Sequence, residues 1–273
     1  MTPDLFFALT LAIKLGVTAA FVVFASMVAE RAGPLVGAMV STLPISSGPA
    51  YVFLALDHDT TFLAMTAVTS LAVNAATAGF ALIYATVAQR QRLAVSLPIA
   101  LGAWFVFSLV IELLRWDLVS GIAVNAATFI VCIPLSRRFL HAKMPFPRRR
   151  WYDMPLRAAM VASLVVTVVG LSGRVGSAVT GILAVFPIVL TSLMLILQPR
   201  IGGPATAAVI ANTIWGLVGF GAALVAVCIT VIPLGAAVAL ALGLVISVSW
   251  NLMIWTFRRR RLAVSASESH SSV

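Results

Sequence analysis

Charged side chains are scarce in this sequence, since Asp, Glu, Lys and Arg together make up 10% of its 273 residues. Soluble domains carry about 25% charged residues. No hydrophilic stretch exceeds roughly 20 residues, which is too few to bury a core of its own. The composition therefore excludes a separate soluble domain.

Motifs for common chemistries are also missing. The sequence has no GxxxxGK[ST] loop, no HExxH and no CxxC pair, and its two cysteines, Cys132 and Cys228, fall near opposite faces of the predicted membrane region. No set of nucleophile, base and acid can be assembled. We therefore predict no enzymatic activity, no cofactor and no metal. Asp57-His58-Asp59 is interpreted as a solvated turn rather than a metal site.

Apolar residues, in contrast, are abundant, at 62% with a mean hydropathy of +1.10. A bilayer core requires a helix of about 20 apolar residues. The chain contains nine runs of that kind, which predicts an all-α polytopic membrane protein. The predicted spans are 5–29, 33–56, 61–88, 93–114, 117–136, 153–172, 175–198, 204–229 and 232–257.

The basic residues indicate the orientation of these spans. With nine spans, 15 of the 18 Lys and Arg residues fall on one side, and Lys14, Arg115 and Arg174 are the exceptions. The positive-inside rule makes the basic side cytoplasmic. We expect a bacterial inner-membrane protein with its N-terminus outside. The clustered charge indicates anionic lipid headgroups as partners of the basic loop 137–150, and no nucleic acid.

An internal repeat appears when residues 11–49 are aligned with residues 154–192, where eight of 39 pairs are identical. Gly33 pairs with Gly176 and Pro44 with Pro187. The offset crosses five spans, so the second repeat is predicted to be inverted, as in many secondary transporters. The predicted units are a four-span repeat at 1–115, a linking span and basic loop at 116–152, an inverted repeat at 153–257 and a disordered tail at 258–273.

Paired prolines provide the candidate site. Pro44 and Pro187 both fall near the middle of a predicted span, where each removes a backbone hydrogen bond. Interruptions at matching places in two inverted halves indicate a substrate site, because half-helix ends bind ions or polar groups. A proline kink satisfied by neighbouring helices is the alternative. The polar neighbours assigned to this site are Ser41, Thr42, Ser46, Ser47 and Thr191.

Three further side chains within predicted spans are assigned to the substrate site. Lys14 is a counter-ion for a substrate or a side chain that extends to the membrane surface, since a buried cation is costly. Asn74 and Asn212 lie deep in corresponding helices, although amides in membranes commonly bridge helices. Span 5 repeats the sequence of residues 72–77 at residues 123–128, through shared ancestry or shared packing.

The first repeat resembles the small GlpM-type inner-membrane proteins. The residues that carry the resemblance are Lys14, Arg31, the run Gly33-Pro34-Leu35-Val36-Gly37-Ala38, and Leu43-Pro44. Such proteins are about half this length, so the resemblance implies one four-span unit per repeat. It also implies a loose link to exopolysaccharide production.

Two functions follow from these patterns. The first is a secondary transporter or exporter of a small solute, an anion being one candidate, with a site at proline-broken helices. The alternative is a scaffold or accessory subunit for the assembly of envelope polysaccharide or lipid, which would transport nothing. A homo-oligomer is compatible with both.

Overall fold

A computed structural model describes the backbone of residues 3–31, 46–140 and 150–271, and the side chains of residues 9–10, 12–24, 46–140 and 150–257. These ranges contain helices and turns and no strand, which confirms the all-helical class. The helices are α1 (Pro3–Arg31), α2 (Ser47–Asp57), α3 (Thr60–Val87), α4 (Leu93–Leu113), α5 (Leu118–Ser136), α6 (Asp153–Ala184), α7 (Ile188–Ile201) and α8 (Gly203–Ser271), with a 3₁₀ turn at Arg137–Phe139.

Within the described residues, five helical stretches are long and apolar enough to cross a membrane. They are Thr60–Val87, Leu93–Leu113, Leu118–Phe139, Asp153–Ala184 and Gly203–Phe257. Large apolar side chains on them are exposed, for example Val119 and Ile130 of α5, each 73% exposed. Lipid is a favourable environment for such a surface, whereas water is not. These helices indicate a membrane-embedded protein.

Glycines interrupt two of the long helices. Gly176 in α6 has φ 76° and ψ 175°, and Gly235 in α8 has φ 79° and ψ 164°. Glycine alone adopts this region without strain. The arms 203–234 and 236–271 fold back on each other, since Trp250 Nε1 donates to the Trp215 carbonyl at 2.8 Å. The structure thus confirms the break that the sequence predicts at residues 233–235.

Two groups of contacts between helices lie at opposite ends of α3. At the Thr60 end, His58 Nε2 lies 2.7 Å from Ser172 Oγ. At the other end, Tyr84 donates to Gln198 Oε1 at 2.7 Å. A helix of 28 residues is about 42 Å long, which exceeds the thickness of the hydrocarbon core. We call these two faces of the molecule the Asp57 end and the Gln198 end.

Helix α3 lies at the centre of the bundle, in contact with α4, α5, α6 and α8. Its buried face carries a polar stripe, defined as Thr66, Ser70, Asn74 and Thr77. Residues three or four apart lie on one face of a helix. The stripe therefore directs polar atoms into the interior along much of the helix.

Gly176 lies next to the predicted boundary between residues 172 and 175, and its non-helical backbone divides the helical run Asp153–Ala184 into two parts there. The structure differs from the sequence prediction at the C-terminus. Helix α8 extends to Ser271, where a disordered tail was expected from residue 258. Extending an existing helix costs far less than nucleating one, and Arg, Leu and Ala are good helix formers.

Candidate functional site at a broken helix

Helical structure stops for three residues between α6 and α7. Helix α6 ends at Ala184 and α7 begins at Ile188, so Val185, Phe186 and Pro187 lie between them; we call these three residues the break. Pro187 has no N–H to donate. Short bonds close the end of α6, from the Val185 N–H to the Ile182 carbonyl and from the Phe186 N–H to the Leu183 carbonyl. Pro187 therefore marks an interruption, not a kink in a continuous helix.

Hydroxyl groups from two other helices bind the last carbonyls of α6. Ser47 Oγ, at the start of α2, donates to the Ala184 carbonyl at 2.9 Å. Ser70 Oγ of α3 donates to the Gly181 carbonyl at 2.8 Å and accepts from Tyr51 at 2.8 Å. Carbonyls at a helix end have no partner within the helix. Side chains from the first half of the chain supply that partner here.

Aromatic rings from α4 hold the break from another side. The Phe186 ring packs edge-to-face on Trp104, with centroids 5.1 Å apart, and lies 6.0 Å from Phe105. Trp104 is fully buried, and its Nε1 donates to Thr77 of the polar stripe at 3.1 Å. Helices α2, α3 and α4 therefore all contact the break or the residues that flank it.

Gly181 allows α6 and α3 to approach each other closely. A Cβ atom at this position would lie 2.6 Å from the Thr66 carbonyl oxygen and 2.8 Å from Thr69 Cβ. Thr66 Oγ1 is buried, and the described residues provide no hydrogen-bond partner for it. The last turn of α6, just before the break, is thus packed backbone to backbone against the central helix.

Several predicted site residues lie beside this break. Pro187 is part of it, and Thr191 Oγ1 donates to the Pro187 carbonyl at 2.8 Å. Ser46 and Ser47 are buried at the start of α2. The remaining members of this predicted group, Ser41, Thr42 and Pro44, lie outside the described residues.

Lys14 lies apart from the break, at the Asp57 end. Its Nζ is 2.5 Å from Asp57 Oδ2 and 5.7 Å from the centre of the Phe53 ring. Its side chain is 12% exposed. No local pattern pairs Lys14 with an acidic residue in the sequence, because Asp57 follows 43 residues later in a predicted outer turn. Its role as a substrate ligand stays a prediction.

Asn74 bridges three helices. Its Nδ2 donates to Asn125 Oδ1 of α5 at 2.9 Å and to the Leu217 carbonyl of α8 at 3.0 Å. The two copies of the repeated six-residue sequence, 72–77 and 123–128, therefore meet at their asparagines. Asn212 is half-buried, and its Nδ2 donates to the Ala208 carbonyl of its own helix at 2.9 Å. Both asparagines were assigned to one site, and the Asn74 bonds cross to α5 and α8, whereas the Asn212 bond to Ala208 lies within its own helix.

An apolar cavity of about 360 Å³ adjoins the start of α2. Helices α1, α2 and both arms of α8 form its walls. The residues that line it include Thr18, Ser47, Val52, Phe53, Leu224 and Leu244. Its few polar atoms are engaged within the protein, since Thr18 Oγ1 donates to the Lys14 carbonyl and Ser47 Oγ to Ala184. The walls therefore offer apolar contacts.

Each residue of the Asp57-His58-Asp59 turn contacts a group of the protein. Asp57 pairs with Lys14, His58 with Ser172, and Asp59 accepts from the Phe62 N–H at 2.8 Å. Among the residues that the structure describes, no three His, Cys, Asp or Glu side chains form a group that could hold a metal ion.

The Gln198 end carries a second charged cluster. Arg200 binds both carboxylate oxygens of Asp153, with Nη1 2.7 Å from Oδ2. Arg150 donates to the Tyr152 hydroxyl at 2.7 Å, and this bond holds the pKa of the tyrosine below its usual value. Asp153 opens α6 and Arg200 lies near the end of α7. The chain between them therefore leaves this face and returns to it.

Sequence reasoning missed Ser70, Tyr51 and Gln198. Ser70 was detectable, because the spacing of the polar stripe places it on one face with Asn74. Gln198 accepts from Tyr84 and from Ser96, and donates to the Gln91 carbonyl. Tyr51 and Gln198 are single polar residues in apolar segments, and no local pattern distinguishes them.

Comparison of the chain with models of protein families, with curated proteins and with solved structures finds no match.

Proposed function

We propose that the protein is a secondary transporter or exporter of a small solute, with its site at the break. In this proposal nine spans form two inverted repeats in the bacterial inner membrane, with the N-terminus outside and the C-terminus in the cytoplasm. The two arms of α8 count as two spans. The part of α6 after Gly176 counts together with α7 as one span, and α2 lies within the predicted span 33–56.

Contacts between equivalent elements support the inverted arrangement. Helix α1 packs on α6 and α3 packs on α8, and each pair contains corresponding elements of the two repeats. Continued past residue 49 without a gap, the offset that pairs residues 11–49 with 154–192 pairs Asp57 with Arg200, and these two residues lie at opposite ends of α3. Opposite placement of aligned residues is what an inverted repeat requires.

The break carries the functional part of the proposal. Just before it, the α6 carbonyls of Gly181 and Ala184 accept hydrogen bonds from the hydroxyl groups of Ser70 and Ser47, which belong to the other half of the chain. A solute that donates a hydrogen bond can replace a hydroxyl group there without unfolding a helix. Discontinuous helices with exchangeable end groups are a general device for binding solutes in transporters.

Solute flux into liposomes tests this proposal. We expect Ser47→Ala and Pro44→Ala, and also Lys14→Ala, to reduce flux of an identified solute at least about tenfold, equivalent to about 1.4 kcal/mol. Ser163→Ala is the matched control, because Ser163 is exposed on α6 and bonds only its own helix. Equal flux in all variants and the control would remove the site assignment.

The scaffold function is kept as the second candidate because the last four carbonyls of α6, from Gly181 to Ala184, each accept a hydrogen bond within the protein. The resemblance of the first repeat to GlpM-type proteins also points toward envelope polysaccharides. Purification in mild detergent distinguishes the two. A scaffold retains stoichiometric partners and shows no flux, whereas a transporter supports flux when purified alone.

The basic loop 137–150 is proposed to bind anionic lipid headgroups. Arg138 and Arg150 are exposed at the edges of this loop, and each lies over an aromatic ring, Phe139 and Tyr152 respectively. Exposed cations beside aromatic rings are typical of a membrane interface.

A further inference from the structure

The cavity occupies one half of the membrane region, toward the Asp57 end. Ser47 and Leu224 mark its inner part, near the level of the break, and Phe53 lies closer to Asp57 along α2. Gly235 connects the two arms of α8 at the same end. The cavity therefore extends along α2 from the level of the break toward the Asp57 end.

The rim of this cavity is open toward lipid. Val17, Val52 and Leu244 line it and are 54%, 49% and 53% exposed. Thr18 and Leu224, in contrast, are buried at 0% and 3%. An exposed apolar rim leading to a buried apolar wall allows a hydrocarbon chain to enter sideways from the bilayer. A hydrophilic solute would gain no hydrogen bonds from these walls.

A cation lies at the outer end of the cavity. Lys14 is one helical turn from Thr18, and its Nζ lies over the ring of Phe53, which lines the cavity. An ammonium group has three donors, and Asp57 accepts one of them. Among the residues whose side chains the structure describes, no further acceptor contacts Lys14 Nζ, so an anionic headgroup whose chain occupies the cavity can accept from it.

We propose that this cavity binds a lipid with an anionic headgroup, with the headgroup at Lys14 and one chain between α1, α2 and α8. This inference rests on the proposed function in one respect, because it takes an amphiphile to be the class of solute that the protein transports. The cavity volume is within the usual range of ligand pockets, about 300–1,000 Å³. The binding requires no conformational change and no energy source.

Lipid retention by the purified full-length protein tests the proposal. Native mass spectrometry would compare dioleoylphosphatidylglycerol with dioleoylphosphatidylcholine, which has the same chains and no net charge. We expect the anionic lipid to bind about tenfold more tightly. Lys14→Gln should abolish this preference, and Arg115→Gln, which removes an exposed cation at the same end, should retain it.

A second pair of variants tests the chain-binding part. Val52→Trp fills the cavity from its rim and should abolish binding of the anionic lipid at this site. Val131→Trp makes the same change at a lipid-facing position of α5 that is 56% exposed, and should leave binding unchanged. Glycerol phosphate alone should not compete, because it lacks a chain.

Three results would overturn the proposal. They are equal binding of the two lipids, equal binding by the Val52→Trp and Val131→Trp variants, and unchanged preference in the Lys14→Gln variant, which would indicate binding at the basic loop instead. These results are independent of flux. Lipid binding without flux would reject transport alone, and flux of a hydrophilic solute without lipid binding would reject the amphiphile alone.

Discussion

Lys14 and Asp57 form an ion pair that connects α1 to the end of α2, with 2.5 Å between Nζ and Oδ2. The second ion pair, Asp153 with Arg200, connects the start of α6 to the end of α7 at the opposite end of the bundle. In the first pair the basic residue comes earlier in the chain, and in the second pair the acidic residue comes earlier.

Removing one partner of the Lys14–Asp57 pair should destabilise the protein, because it leaves a charge unpaired in a partly buried place. We expect Lys14→Gln and Asp57→Asn each to cost about 1–2 kcal/mol. The double variant should cost less than the sum of the two, since neither charge then remains unpaired. Thermal unfolding in detergent measures all three. Strict additivity would show that the ion pair contributes nothing.

Adding a methyl group at Gly181 should separate α6 from α3. The new Cβ would lie 2.6 Å from a backbone oxygen of Thr66, which cannot rotate away. We expect Gly181→Ala to cost about 1–3 kcal/mol. Gly173→Ala, in the same helix with no atom within 4 Å of the new Cβ, should be neutral or stabilising. Similar melting temperatures for the two variants would contradict the close approach.

The glycine turn between the arms of α8 should resist any side chain. At φ 79° and ψ 164°, a residue with a Cβ is strained by about 1–3 kcal/mol. We expect Gly235→Ala to lower the unfolding temperature, and Gly102→Ala in α4 to leave it unchanged or raise it, because Gly102 is helical and its surroundings are open. A tolerated Gly235→Ala would argue for a continuous helix.

The asparagine bridge should act as a unit. Asn125 Nδ2 donates to the Leu71 and Gly121 carbonyls, and its Oδ1 accepts from Asn74. We expect Asn74→Ala to cost about 0.6–2 kcal/mol. A double-mutant cycle with Asn125→Ala should show coupling between the two positions. If the two costs simply add, the two copies of the repeated sequence do not depend on each other.

Local sequence signals predicted the class of fold and its main interruptions. Pro187 and Gly235 were both identified, because proline and glycine act on their own backbone and need no partner. Of the two hydroxyl groups that donate to α6 carbonyls, the sequence identified that of Ser47 and missed that of Ser70. Ser47 was included for its nearness to Pro44, but its partner Ala184 lies 137 residues away.

Contacts between distant segments account for what the sequence did not reveal. Arg200 and Asp153 are ordinary surface charges until the hairpin brings them together. Gln198 joins Tyr84, Ser96 and the Gln91 carbonyl, and none of these residues shares a local pattern with it. The tail beyond residue 257 was expected to be disordered from its composition, although a preceding helix extends into it.

Labelling of single cysteines across the membrane tests the inverted arrangement most directly. Thr60 begins α3 at the Asp57 end, and Ile201 ends α7 beside Gln198. With Cys132 and Cys228 replaced by serine, we expect an impermeant thiol reagent added to intact cells to label Thr60→Cys and not Ile201→Cys. Inverted membrane vesicles should give the reverse result. Labelling of both positions from the same side would contradict the antiparallel repeats and the transport site built on them.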